Sequence, residues 1–434
     1  MVTGTNVVSI NRDADFEKGN GGLMMNNRMS DQIRGCLYGG AVGDALGNPI
    51  EFAPENEIFR RYGSRGIRRY RPDDDTGTAT ITDDTQMALF TANGILVHQT
   101  NMARRADDLS GENTYSEDSR EADLLECMGR ACGDWLTTQN MSYEAEKAQI
   151  IRSGRDGICW LLDVPDLFNR RAPGNTCLCA LGQRRGENNR AGSFLAEPIN
   201  DSKGCGGIMR IAPVALIPDP ELSVEWIDLQ AAESAAVTHG HPLGYMTSSV
   251  LAHVIRRIVF PPEGKEMSLK EIILEAKETV SGLFKGDKNL SKMCDIVDLA
   301  VLLAEPDETA IADHSPQEIF DEDLKNIHML GEGWVAEETL GISLYCALKY
   351  RNDFSAGVLA SVNHKGDSDS TGAVTGNILG ALHGYSKIEE KWKKDLELSD
   401  VILEIADDLA HSAQIGKEDL KEGSSWARKY VIKT

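Results

Sequence analysis

Two runs of glycine at four-residue intervals constrain this chain more than any other feature. Gly35, Gly39, Gly43 and Gly47 lie in SDQIRGCLYGGAVGDALG (30–47). Gly372, Gly376, Gly380 and Gly384 lie in HKGDSDSTGAVTGNILGALHG (364–384). Both stretches carry apolar residues at helical spacing, and an i, i+4 interval sets each glycine run along one face of its helix. Glycine inside a helix costs roughly 1 kcal/mol relative to alanine, so each helix gives up several. Close approach of helix axes offsets this, by the small-residue logic known from membrane helices. The runs therefore predict two helices deep in the core, with each other as candidate partners.

From Ser30 onward helical periodicity covers most of the chain, strand-like alternation is almost absent and there is no βαβ rhythm. The fold class expected is all-α, in one large domain. Residues 1–30 are rich in Gly and Asn without a sustained period and are expected to form a flexible extension ahead of a domain spanning 31–425. Segment 101–123 is highly charged and lacks a core face, which predicts a surface insertion between helices. Residues 163–201 carry Pro, Gly, Asn and Arg with little period and are expected to be a long ordered loop.

The formal charge is −23, from 45 basic and 68 acidic side chains. Such a surface repels phosphate backbones and anionic lipid, so neither nucleic acid nor membrane is an expected partner. Nine cysteines, an odd number with no CxxC pair, indicate neither a disulfide framework nor a zinc ribbon. A cytoplasmic location fits them best. No basic segment leads into an apolar run at the N-terminus, and no apolar stretch approaches the ~18 residues of a membrane span.

Chemistry gathers in four places. ITDDTQMAL (81–89) opens a helix with Thr82, Asp83, Asp84 and Thr85, and GDSDSTGA (366–373) opens another with Asp367, Ser368, Asp369, Ser370 and Thr371. Such residues favour helix N-termini because their oxygens accept orphan N–H groups. Two neighbouring carboxylates exceed what capping requires. If the fold joins the clusters, four carboxylates share one region, and protons or hard cations such as Mg²⁺, Mn²⁺ or Ca²⁺ must relieve the crowding. DSDSTG also resembles the start of an EF-hand loop, but Ile378 stands where a bidentate Glu is needed. DSDST matches a phosphatase DxDxT pattern, but no apolar strand precedes it. In NDSKGCGGIMRIAPVAL (200–216), three glycines around Cys205 precede a helical run and leave backbone N–H groups able to face an anion, with Lys203 and Arg210 adding positive charge. In THGHPLGY (238–245), His239 and His241 stand where Pro242 marks the end of one helix and the start of another, and either imidazole can serve as ligand or as cap.

In this order these stretches resemble the ADP-ribosylglycohydrolase family, together with GCLYGGAVGDALGNPIEF (35–52), LGEGWVAEETLGISLYCAL (330–348) and NHKGDSDSTGAVTGNILGALHG (363–384). The resemblance covers about 35–385. It implies a single compact orthogonal multi-helix domain around a central two-metal site, holding two Mg²⁺ or alternatively Mn²⁺. The implied metal ligands are Thr82, Asp83, Asp84, Asp367, Asp369 and Ser370, the last standing where many relatives have Thr. Glu51 matches an acidic residue given gating or acid/base roles. The Ser202–Met209 stretch, with Lys203, Gly204, Cys205, Gly206 and Gly207, matches a diphosphate-binding loop, and His239 matches a histidine near ADP-ribose. The implied reaction is hydrolysis of the glycosidic bond between ADP-ribose and a protein side chain, most often arginine, with Asp367, Asp369 or Glu51 as general base. The implied partner is an ADP-ribosylated protein. An ADP-ribosyltransferase toxin is a second candidate partner, countered by hydrolysis as an immunity protein or blocked by the 1–30 extension.

Overall fold

The computed structural model describes residues 12–108, 117–154, 157–186, 193–219, 222–305 and 315–432. Five helices position the site: α1 (Arg12–Gly47), α2 (Asp83–Asp108), α3 (Pro242–Val259), α4 (Ala336–Lys349) and α5 (Ser368–His383). The glycine runs of α1 and α5 meet face to face, antiparallel. A Cβ on Gly35 would lie 2.2 Å from the carbonyl oxygen of Gly380, and one on Gly39 2.3 Å from that of Gly376. One on Gly43 would lie 1.9 Å from that of Gly372, and one on Gly47 2.3 Å from that of Ser368. As the α1 number climbs by four, the α5 number falls by four, so backbone lies on backbone for three turns. Every residue of α5 from 368 to 381 is buried, enclosed by α1, α4 and the helix Phe354–Val362.

This register has a direct consequence for chemistry. The last turn of α1 lies against the first turn of α5, so the short helical turn Asn48–Ile50 delivers Glu51 to the carboxylates that open α5. α2 is placed by a different device. Asp44 on α1 is wholly buried and its carboxylate accepts the N–H groups of Thr82 at 3.0 Å and Thr85 at 3.1 Å, together with the Thr85 hydroxyl. A carboxylate on one helix thus satisfies orphan N–H groups at the start of another.

No strand forms among the described residues, which show only the isolated bridges Ala79–Leu396 and Gly204–Val335. The fold is all-α in one compact domain, and no helix of the described residues is long and apolar enough to cross a membrane. Three local expectations change. Helix α1 begins at Arg12, inside the segment expected as an extension, while residues 1–11 lie outside the described residues. The 101–123 segment is helical at both ends, in α2 and in Glu117–Asn140, with 109–116 outside the described residues. The 163–201 loop contains the helix Asn175–Gly186, whose period is masked by the flanking Pro, Gly and Asn.

Candidate active site

The two acidic clusters come together where α1, α2 and α5 converge. Asp83 and Asp84 occupy the first turn of α2, and Asp367 is the N-cap of α5, accepting the Ser370 N–H at 3.2 Å. Asp369 accepts the same N–H at 3.0 Å. Carboxylate oxygens of Glu51, Asp367 and Asp369 all lie within 4.8 Å of one another. Asp83 is fixed by its own N–H donating to Arg171 O at 3.0 Å, and its carboxylate accepts the Gly174 N–H at 3.3 Å. Asp84 donates its N–H to the Thr82 hydroxyl at 3.3 Å. Thr82, Asp83, Asp84, Asp367, Asp369 and Ser370 are all buried.

Crowding carboxylates in a place with little water disfavours their charged forms. Burial, and then the Asp369 carboxylate, push Asp44 up to about 7 and Glu51 up to about 10. The same two causes, in the same order, raise Asp83, Asp84 and Asp367 well above the ordinary carboxylate range. One buried oxygen, Asp84 Oδ2, has no hydrogen-bond partner. An orphaned carboxylate oxygen among mutually repelling carboxylates and two hydroxyls is a donor set of hard oxygens, which fits divalent cations of the Mg²⁺ or Mn²⁺ kind.

The glycine loop lies directly against this cluster. The Cys205 thiol donates to Asp367 Oδ2 at 2.7 Å. Both flanks are tied down: Ser202 O accepts from His241 N at 3.2 Å, Lys203 O from Ala336 N at 2.9 Å, and Cys205 N donates to Trp334 O at 3.3 Å. The N–H groups of Gly206 and Gly207 are taken by no described residue. His239 is the floor of the loop. A Cβ on Gly206 would lie 2.8 Å from its Cε1 and one on Gly204 3.2 Å from its Nε2, so only glycine permits this approach. Burial, and then Arg210, hold the His239 imidazole down at about 3, so it is neutral, and its Nδ1 meets the Thr238 hydroxyl at 2.9 Å. His241 is the N-cap of α3, accepting Leu243 N at 3.0 Å.

Three loop residues take other places. Lys203 forms an ion pair with Glu337 of α4, which Lys292 joins at 2.8 Å. Met209 is buried beside Asp84, Leu37 and Ala373. Arg210 is neither solvated nor directed at an anion. It is wholly buried, donating to Ser234 O at 2.8 Å and to the Thr238 hydroxyl at 3.0 Å. Asp44, which sequence reasoning passed over, belongs to the acidic cluster through Asp369. Its signal was a lone carboxylate next to Gly43 in the otherwise apolar stretch 35–47 at the end of α1. At the rim, Phe52 stacks on Trp334 with ring centroids 5.0 Å apart, in a left-handed backbone conformation (φ 62°) that a non-glycine residue seldom adopts.

The family model described as ADP-ribosylglycohydrolase matches residues 25–418. The chain is 22% identical to the ADP-ribosylhydrolase ARH3 of Homo sapiens, over 85% of this chain and 90% of that protein. It is 22% identical to the ADP-ribosylarginine hydrolase Tri1 of Serratia proteamaculans, over 90% and 82% respectively. It is 23% identical to the ADP-ribosyl-(dinitrogen reductase) glycohydrolase of Rhodospirillum rubrum, over 85% and 91%. A solved structure titled "ADP-ribosylglycohydrolase-related protein complex" shares the fold at a TM-score of 0.53 and 20% identity, covering 89% of this chain and all of that one. With the family match extending through α1, both acidic clusters, the glycine loop and α5, the chain belongs to the ADP-ribosylglycohydrolase family.

Proposed function

We propose that this protein is a cation-dependent hydrolase that removes ADP-ribose from protein side chains, with ADP-ribosyl-arginine as its first substrate class. The observation that carries this reading is the convergence of Asp83, Asp84, Asp367, Asp369 and Glu51 beside a glycine loop with untaken N–H groups. The arginine class is supported by Tri1, a relative named for that linkage. Nine free cysteines among the described residues accord with a cytoplasmic setting.

Thr82, Asp83, Asp84, Asp367, Asp369 and Ser370 would hold two Mg²⁺ or Mn²⁺ ions. Bound there, the cations supply positive charge and Lewis acidity near the glycosidic bond. The N–H groups of Gly206 and Gly207 hold the diphosphate, so binding energy spent far from the bond fixes its orientation. Neutral His239 keeps the loop in shape without adding charge. Glu51 is the one carboxylate of its trio only half-buried, which makes it more accessible to substrate than Asp367 and Asp369, both buried. Burial and the Asp369 carboxylate keep Glu51 protonated when no cation is bound. Positive charge from bound cations would return it to the carboxylate, the form placed to take a proton from water as the bond to C1″ breaks.

A release assay on arginine- and serine-linked ADP-ribosyl peptides, with and without EDTA, tests this. Release from the arginine-linked peptide that EDTA abolishes and Mg²⁺ restores is the expected outcome. Full activity in EDTA, or in an Asp83→Ala/Asp367→Ala variant, would overturn the cation-dependent mechanism.

A further inference from the structure

Segment 60–71 reads RRYGSRGIRRYR, six arginines and no acidic residue in a chain of net charge −23. It leaves the helix Glu55–Tyr62 and is pinned to the site by Asn363, four residues before Asp367. Asn363 accepts the Ile67 N–H at 2.6 Å and donates to Ile67 O at 2.9 Å. At Gly66 (φ +66°) a Cβ would lie 1.8 Å from the Asn363 Oδ1. Tyr70 anchors the far end, its hydroxyl donating to Trp392 O at 3.0 Å. The backbone is therefore fixed, while five of the six arginines are exposed and Arg65 is half-buried.

Four of these six guanidinium groups lack a carboxylate partner among the described residues. Arg60 and Arg61 meet Glu57, but Arg65, Arg68, Arg69 and Arg71 form no ion pair with any described residue. Arg34, Arg120, Arg171 and Arg257 each pair with a carboxylate. Desolvation, and then the nearby Arg65, pull the Arg68 pKa down. Like charges held together on a rigid backbone cost free energy that an anion from outside offsets. A cleft of about 570 Å³ is lined by two of the six arginines, Arg61 and Arg71, and by Tyr62, whose hydroxyl is buried without a partner. Asn48, Pro49 and Thr80 form its other wall. They lead within the chain to Glu51 and Thr82, so the cleft borders the active site. Asp73 and Asp74 close one end of the cleft, and Asp73 spends its carboxylate on its own turn, accepting the N–H groups of Asp75 and Thr76 at 3.0 Å each.

We propose that segment 60–71 is an exosite that docks a short acidic stretch of the ADP-ribosylated protein next to its modified residue. This rests on the hydrolase reading above. Bidentate arginine–carboxylate pairing supplies the recognition. The occupant is short because a longer polyanion would run from the patch onto residues 73–75 and a strongly acidic surface, which also argues against nucleic acid.

The test uses the full chain, as wild type and as an Arg65→Gln/Arg68→Gln/Arg69→Gln/Arg71→Gln variant, with melting curves confirming that both fold. Binding of fluorescent, unmodified Glu-rich, neutral and Lys-rich peptides is followed by anisotropy at about 50 mM and about 500 mM NaCl. Turnover is measured on ADP-ribosyl peptides with the same flanks. Expected is a preference of wild type for the Glu-rich peptide of about tenfold, lost in the variant and at high salt. The variant's KM rises by a similar factor on the Glu-flanked substrate only, with kcat unchanged. Equal binding of Glu-rich and neutral peptides by wild type, or undiminished binding by the variant, overturns the exosite. So does a DNA duplex that binds wild type more tightly than the Glu-rich peptide. If no substrate releases ADP-ribose, the hydrolase reading fails while anisotropy still decides the exosite.

Discussion

Asp44 has no exposed surface, and a carboxylate so placed needs hydrogen bonds, a proton or a nearby cation. It receives the first from the start of α2 and shares the crowded cluster through Asp369. An Asp44→Asn substitution keeps the shape but turns an amide donor toward N–H groups that are themselves donors. The expected result is destabilisation by about 1–3 kcal/mol in urea denaturation, because buried donors are left unpaired. An unchanged unfolding midpoint would show that α2 does not depend on this contact. The sequence marks Asp83, Asp84, Asp367 and Asp369 because paired carboxylates at helix starts exceed capping needs. Asp44 escapes that logic, since a single carboxylate forms no cluster and the N–H groups it accepts, on Thr82 and Thr85, are remote in sequence. Arg210 failed in the opposite sense: a cation after a glycine loop suggests an anion, whereas its partners on the helix Val224–Ala236 and at Thr238 are remote in sequence.

At the scale of elements, the two glycine helices were the most legible part of the chain. Three successive intervals of four on each helix admit few explanations other than backbone contact. That they would meet each other was a candidate on the sequence and is borne out; the antiparallel direction and the register were not readable from the chain. A Cβ on Gly43 has only 1.9 Å to the Gly372 carbonyl oxygen, so Gly43→Ala is expected to destabilise by about 3 kcal/mol or more, through forced separation of α1 and α5. Gly133, in the helix Glu117–Asn140, has nothing within 4 Å of its Cβ position. Gly133→Ala is therefore expected to stabilise by about 0.5–1 kcal/mol from helix propensity alone. Parallel denaturation curves compare the two, and a Gly43→Ala protein as stable as wild type would refute the close-contact account. The helix Asn175–Gly186 was illegible because two glycines, Gly182 and Gly186, and its polar C-terminal half blur the period.

For the molecule as a whole, the acidic centre ties stability to pH and to cations. A carboxyl whose pKa is raised on folding holds its proton in the native state at pH values where the unfolded chain has lost it. Native stability then falls as pH rises through the window between the two values. For Asp44 that window runs from the ordinary 3.8 up to about 7, and Asp83, Asp84 and Asp367 are shifted in the same direction. Cations bind the deprotonated form and displace those protons, so their stabilisation grows with pH. The gap between melting temperatures in Mg²⁺ and in EDTA is expected to widen from about pH 5.5 to about pH 7.5. A gap that stays constant would place cation binding away from these carboxylates.

The glycine register also decides which genetic changes this protein can survive. Substitutions elsewhere leave the distance between Glu51 and Asp369 alone, because that distance is set by main chain lying on main chain. A single-codon insertion between Gly39 and Gly43 is different in kind. It would turn everything beyond it by about 100° and advance it by about 1.5 Å, setting Gly43 and Gly47 off the seam. No side-chain change restores the fit, since at the four glycine crossings main chain meets main chain. Length within α1 and α5 is therefore heritable only in matched steps, whereas the exposed arginines of segment 60–71 carry no constraint of that kind.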